Sequence, residues 1–207
     1  MSVEPTPIVA FAGRRIDAQD ATTPRFPLTQ VDVVREQIEA LFRRDQVNTL
    51  ICSAACGADL IALRIARKLG IGYRVILPFA PDHFRVTSVI DRPASQEWNW
   101  GALFDQVIDA AQQSGKLLVI KTGEDGHTVY QAVNRAILDA ALGQEHDQKV
   151  PSAMESAHGS PQVQAVIVWD GHARSPHDLT LHFAEEARSR GLVVRQILTL
   201  PSWLEDR

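Results

Sequence analysis

Several short segments of this chain gather residues suited to holding an anion. Gly13-Arg14-Arg15 closes the apolar run PIVAFAG, Pro7 to Gly13. A glycine there lets the backbone turn tightly, and two guanidinium groups present donors in forks that fit phosphate. Ser53-Ala54-Ala55-Cys56-Gly57-Ala58-Asp59 is built of small residues at the start of a helical pattern. Backbone N–H groups can approach an anion closely in such a turn, and the helix adds its positive end. Ser53 can donate to a phosphate oxygen. Asp59 falls in the first helical turn, as a cap or as a ligand contact. Pro78 ends the run YRVILPF, and Trp169-Asp170-Gly171 opens a polar stretch reaching Thr180, a further candidate phosphate loop. Tyr130 and Asn134 are four apart and share one helical face. An amide on that apolar side needs a partner, either backbone or ligand. Phe79 and Phe84 can stack on a base or fill core, and Arg85 and Arg92 can reach a phosphate or stay solvated.

The spacings also exclude chemistry. No Gly-Lys-Ser/Thr follows the small-residue turn, and no GxGxxG is present, so an ordinary P-loop ATPase or dehydrogenase is disfavoured. Cys52 and Cys56 stand alone as C-x3-C, which fits neither a zinc site nor a disulfide. They read as reduced thiols of a cytoplasmic protein. His172, His177 and His182 are spaced by five and share no helical turn, so no metal is expected. No cofactor is expected either.

The elements that must position these residues alternate. Apolar strands are expected at Pro7 to Gly13, Thr49 to Ala54, Tyr73 to Phe79, Lys116 to Gly123, Val163 to Gly171 and Leu192 to Leu198. Between them, Val31, Val34, Ile38, Leu41 and Phe42 recur at helical spacing, as do Ala62, Ile65, Ala66 and Leu69. Helical patterns follow at Leu103 to Ala111, Tyr130 to Ala141 and His177 to Arg190. Pro81 to Trp100 reads as a short helix and a loop crossing the ligand face. Gln144 to Pro161 reads as a mobile surface loop. Alternation of this kind means βαβ units, hence one α/β domain over residues 1 to 207. It is a Rossmann-like three-layer fold with a mostly parallel sheet of six or seven strands and helices on both faces. Ligands of such sheets bind beyond the carboxyl ends of the strands, near the switch point of strand order.

Bulk composition is that of a globular domain: 45% hydrophobic, 22% charged, formal net charge −4 over 207 residues. The acidic balance gives no electrostatic reason to bind nucleic acid or an anionic membrane. No apolar run reaches a membrane span, and MSVEPTP lacks an apolar signal core. A homodimer through helices stays open.

The runs FAGRRID, SAACGADLIALRIARKLG and YRVILPF, with the strand VIVWDG and an alanine-rich helix, resemble the SLOG superfamily. The similarity spans roughly residues 7 to 200, and the Gly57-Ala58-Asp59 turn is its most specific part. The superfamily includes LOG-type nucleotide phosphoribohydrolases, the DNA-processing protein of natural transformation, and nucleotide-sensing domains of conflict and defence systems. The resemblance implies a Rossmann-like fold that binds a nucleotide through the Gly13, Ser53–Asp59 and Asp170–Thr180 loops. LOG-type hydrolases carry Pro-Gly-Gly-x-Gly-Thr-x-x-Glu after the matching strand. Here the segment reads WDGHARSPHDLTLHF, with Phe183 at the place of the glutamate. Glycosidic cleavage needs a nearby carboxylate, and Asp170, Asp178 or Glu124 would have to substitute. The expectation is therefore a sensor of a small nucleotide or nucleotide-derived signal, ADP-ribose-type or cyclic. The alternative is a hydrolase cleaving the N-glycosidic bond of a nucleoside monophosphate.

Overall fold

A computed structural model describes residues 7–120, 126–143 and 162–200. The end of the expected Lys116–Gly123 strand, beyond Ile120, and the expected loop at Gln144–Pro161 lie outside the described residues. Six strands are present there: β1 (Ile8–Gly13), β2 (Thr49–Cys52), β3 (Gly72–Leu77), β4 (Leu117–Val119), β5 (Val163–Trp169) and β6 (Val193–Leu198). Six helices join them: α1 (Val31–Arg44), α2 (Ala58–Leu69), α3 (Pro81–Ser88), α4 (Trp100–Gln113), α5 (His127–Ala141) and α6 (Leu179–Ser189). All strand pairs are parallel, in the order β4-β3-β2-β1-β5-β6. No described helix is long and apolar enough to cross a membrane.

The central strands are buried on both faces, which is why they read as continuous apolar runs. Val9, Phe11, Leu50 and Cys52 face one core with α1, α2, α3 and α4. Ala10, Ile51, Ala165 and Ile167 face the other, beneath α5 and α6. α1 buries Val34, Ile38, Leu41 and Phe42 at the expected spacing. β4 pairs with β3 alone, at one edge of the sheet. α6 starts at Leu179 rather than His177 because the Asp178 side chain caps it.

The chain walks outward from β1 to β4, then returns to place β5 on the other side of β1. The crevice of an open sheet lies at that reversal. Two loops flank it, residues 14–27 after β1 and residues 170–178 after β5.

Two glycines let the surrounding backbone close. At Gly13, a Cβ would sit 2.4 Å from the Ala58 Cβ and 2.9 Å from that of Val168. β1 therefore meets the start of α2 with no room for a side chain. At Gly57, φ is +101°, and a Cβ would lie 2.7 Å from the Arg14 carbonyl oxygen and 2.9 Å from the Ile16 nitrogen. Arg15 and Gly57 form an isolated antiparallel bridge, and the Ala58 N–H donates to the Arg14 carbonyl at 3.1 Å. Close approach at Gly57 is thus between two protein loops. Gly57→Val should destabilise by about 2 kcal/mol or more, combining an unfavourable φ with a backbone clash. For a chain of this size that lowers Tm by roughly 5 °C. Thermal denaturation checks it, and a wild-type Tm contradicts the reading.

Candidate functional site

Two adjoining cavities open at the carboxyl ends of the strands. The first is a slot of about 300 Å³, walled by Phe11, Phe84, Tyr130, Val133 and Ile137, with Ser53, Asp59, Ser88 and Asn134 as its polar points. The second is a vestibule of about 620 Å³ bearing Arg14, Arg15, Arg25, Arg92, Arg174, His127 and His177. Gly13, Arg15, Leu179 and Thr180 line both, so the two spaces share a wall.

Arg14, one of the two guanidinium groups expected to meet phosphate, is buried and only 5% exposed. Its Nε donates to Asp170 Oδ1 at 2.9 Å, its Nη1 to Asp178 Oδ2 at 2.5 Å, and its Nη2 to the His172 carbonyl at 2.6 Å. Arg25 Nη1 adds a bond to Asp170 Oδ2 at 2.6 Å. The reason is positional. β1 and β5 are neighbours in register, with Gly13 opposite Val168, so the residues just beyond each meet. Two carboxylates there can be buried only with a cation that satisfies them.

The Asp170–Thr180 loop differs from an open phosphate cradle for a related reason. Asp178 Oδ1 accepts from the Thr180 and Leu181 N–H groups at 2.9 and 3.1 Å. Its Oδ2 accepts from the Arg174 N–H at 2.8 Å. The protein's own carboxylate occupies the place an anion would take at the start of α6. Burial opposes the charge of Asp178, but the Arg174 N–H and the Arg14 guanidinium outweigh it and hold the carboxyl below its ordinary value. Asp170 and Gly171 line neither cavity. Phe183 is fully buried in the core beneath α6, so no side chain replaces the hydrolase glutamate at that position. Asp170 and Asp178 are both committed to Arg14, and Glu124 lies outside the described residues.

The small-residue turn is likewise closed by its own backbone. The Cys56 N–H donates to the Ser88 carbonyl and that of Ala58 to Arg14, so Gly57 and Ala58 line neither cavity. Asp59 does reach the slot. Its Oδ2 accepts from the Ala55 N–H at 3.2 Å, and its Oδ1 has no hydrogen-bond partner. Burial pushes its pKa up to about 7, opposed only by that single N–H. The Cys52 and Cys56 thiols are buried and free, with burial raising both.

Other expected contacts divide. Asn134 donates to the Leu179 carbonyl at 2.8 Å and lies 3.3 Å from His182 Nδ1, so backbone partners an amide that also walls the slot. Pro78 is buried beyond β3 and lines neither cavity. Phe84 walls the slot, whereas Phe79 stacks on His83 with ring centroids 4.7 Å apart. Arg85 is paired with Asp105 at 2.7 and 3.0 Å, away from both cavities.

The remaining vestibule cations are less committed than Arg14. Arg15 donates to the Thr87 carbonyl at 3.1 Å and to Asp91, yet its Nε has no partner. Arg92 Nε also lacks a hydrogen bond, with Asp91 3.5 Å away. Arg174 lines the vestibule, and no ion pair or side-chain hydrogen bond holds its guanidinium among the described residues. Partial desolvation, then the nearby Arg14 and Arg25 charges, lower its pKa. That is a cation in surroundings that favour an added anion. Sequence reasoning passed over Arg25, Arg174 and the role of Asp178. Only Asp178 carried a local signal, as an aspartate before a helical run.

Among solved structures, the chain is similar to DNA processing protein A (DprA) from Streptococcus pneumoniae, with a TM-score of 0.51 and 16% sequence identity. The likeness covers 97% of this chain and 54% of that one, so the chain spans about half of that protein's length. The likeness is one of fold, a parallel α/β sheet of the Rossmann-like kind. No protein-family model and no curated protein matches the sequence. Within this frame, the β1 and β5 loops are locked to each other by Arg14, and the slot and vestibule remain open beside them.

Two outcomes follow from these contacts. Arg14→Ala leaves Asp178 buried without its cation and Asp170 with Arg25 alone, and should cost about 3–5 kcal/mol, read from the urea midpoint. A loss below about 1 kcal/mol contradicts the clamp. For Asp59, the folded pKa of about 7 lies above an unfolded value of about 3.9. Its contribution is therefore present at low pH and is lost as pH rises through 7. Wild-type stability should fall by about 2 kcal/mol from pH 5 to pH 8 on this account. Asp59→Asn should abolish that slope and melt higher than wild type at pH 8. Parallel slopes for the two proteins sink the assignment.

Proposed function

We propose that the crevice binds a small phosphorylated nucleotide or nucleotide-derived signal and acts as a sensor rather than a hydrolase. The observation that carries this reading is the join between an apolar, aromatic-walled slot and an arginine-bearing vestibule. The slot offers flat apolar walls for a base. The vestibule offers Arg15, Arg92 and Arg174 for phosphate. Mostly apolar walls with a few placed polar groups are the usual composition of small-ligand sites. The backbone cradles that hold phosphate in many such folds are closed here, so side chains take over that task. Arg14 supports the wall instead of binding.

Binding without turnover is supported by Phe183, which stands at the motif position of the LOG-type glutamate and is buried in the core. The similar solved structure is named for DNA processing. In this chain the net charge is −4, and the five arginines lie inside a concavity. That arrangement suits a compact anion better than a duplex.

Thermal denaturation against AMP, ADP, ATP, their guanine equivalents, NAD, ADP-ribose and cyclic nucleotides tests the reading. A ligand at about 100 times its Kd stabilises by about 2.7 kcal/mol, roughly 5–10 °C here. At least one phosphorylated member should give such a shift. Arg174→Ala should reduce the shift strongly while leaving the ligand-free Tm near wild type. No shift with any member, or an undiminished shift in Arg174→Ala, contradicts the proposal. Free base released from AMP in the same samples would support hydrolysis instead, with Asp59 as the slot's carboxyl group.

A further inference from the structure

Asp59 is an anomaly that neither folding nor capping explains. It is 6% exposed, at the slot wall, among apolar neighbours. It forms no ion pair among the described residues, and Arg15, the cation nearest in the slot lining, pairs with Asp91. Gly57 is the N-cap of α2, so Asp59 is not the capping residue. One carboxyl oxygen is fixed by the Ala55 N–H, which sets the orientation of the group. The other has no partner. A buried acceptor left without a hydrogen bond is costly, and such groups in folded proteins usually await a partner.

Resting on the nucleotide reading above, we infer that Asp59 is the specificity-determining residue of the slot, accepting a hydrogen bond from the exocyclic amino group of the ligand's base. The aromatic walls Phe11, Phe84 and Tyr130 favour a flat ring over a sugar in this space. A site that hydrogen-bonds a substrate N–H rejects the analogue lacking it far more strongly than an apolar pocket rejects a missing methylene. The Asn substitution has a defined consequence. The Ala55 N–H requires an acceptor, so the amide oxygen of Asp59→Asn turns toward Ala55 and its NH2 takes the place of the unpartnered oxygen. The acceptor becomes a donor without a change of shape.

Equilibrium binding of two ligand pairs tests this on the full chain: AMP against purine-riboside 5′-monophosphate, and GMP against IMP. Within each pair, only one member carries the exocyclic amino group. In wild type, at least one amino-bearing member should bind about tenfold or more tightly than its partner. In Asp59→Asn that ratio should fall to one or below, with the melting curve showing a folded protein. A ratio unchanged in Asp59→Asn overturns the inference. So does measurable nucleotide binding with no preference in either pair, which leaves the nucleotide reading intact. A preference for AMP over 2′-deoxy-AMP that is lost in Asp59→Asn assigns Asp59 to the ribose and overturns the base assignment. Absence of binding by all five nucleotides overturns both readings together.

Discussion

The buried guanidinium of Arg14 is the constraint around which the carboxyl face of the sheet is organised. It ends β1, and its three donating groups reach two carboxylates and a carbonyl that follow β5. A charge so placed is tolerable only when each of its nitrogens has a partner and its counter-charges are themselves hydrogen-bonded. Both conditions hold: Asp178 caps α6 while bonding Arg14, and Asp170 is shared with Arg25. Gly13 and Gly57 are the steric side of the same arrangement, because they let α2 approach closely enough for its first turn to bond the Arg14 carbonyl. The strand ends, the α2 start and the α6 start are therefore one rigid frame.

That frame closes the backbone turns at the starts of α2 and α6. At α6 the anion position is taken by Asp178. At α2 the turn is taken by the Arg14 loop and the Ser88 carbonyl. The side chains that the frame does not use, Arg15, Arg92, Arg174, Ser53 and Asp59, are among the polar groups that line the slot and the vestibule.

Much of the fold was legible because it depends on local pattern. The run VQAVIVW reads as a doubly buried strand and is one, and the 31–42 spacing reads as a helix face and is one. The place of β4 at an edge was not legible, since edge position is a property of the sheet and not of the apolar segment. Residues of the slot were partly legible: Gly13, Arg15, Ser53, Asp59, Asn134 and Thr180 do come together. The division of labour between Arg14 and Arg15 was hidden. Adjacent arginines look alike in sequence, and what separates them is carboxylates 156 and 164 positions away. Arg25 and Arg174 sit in loops without periodicity, so nothing short of the folded chain distinguishes them from solvated charge.

In the proposed function, slot and vestibule act together on one ligand. Calorimetric titration of the wild-type chain with AMP, adenosine and inorganic phosphate, at low and moderate salt, addresses it most directly. If both compartments are engaged, the joined ligand should bind at least about a hundredfold more tightly than either half, since linkage makes the second contact intramolecular. Its affinity should also weaken with salt, as phosphate contacts to exposed arginines do. Adenosine binding as tightly as AMP, or phosphate alone accounting for the whole affinity, would contradict a shared site.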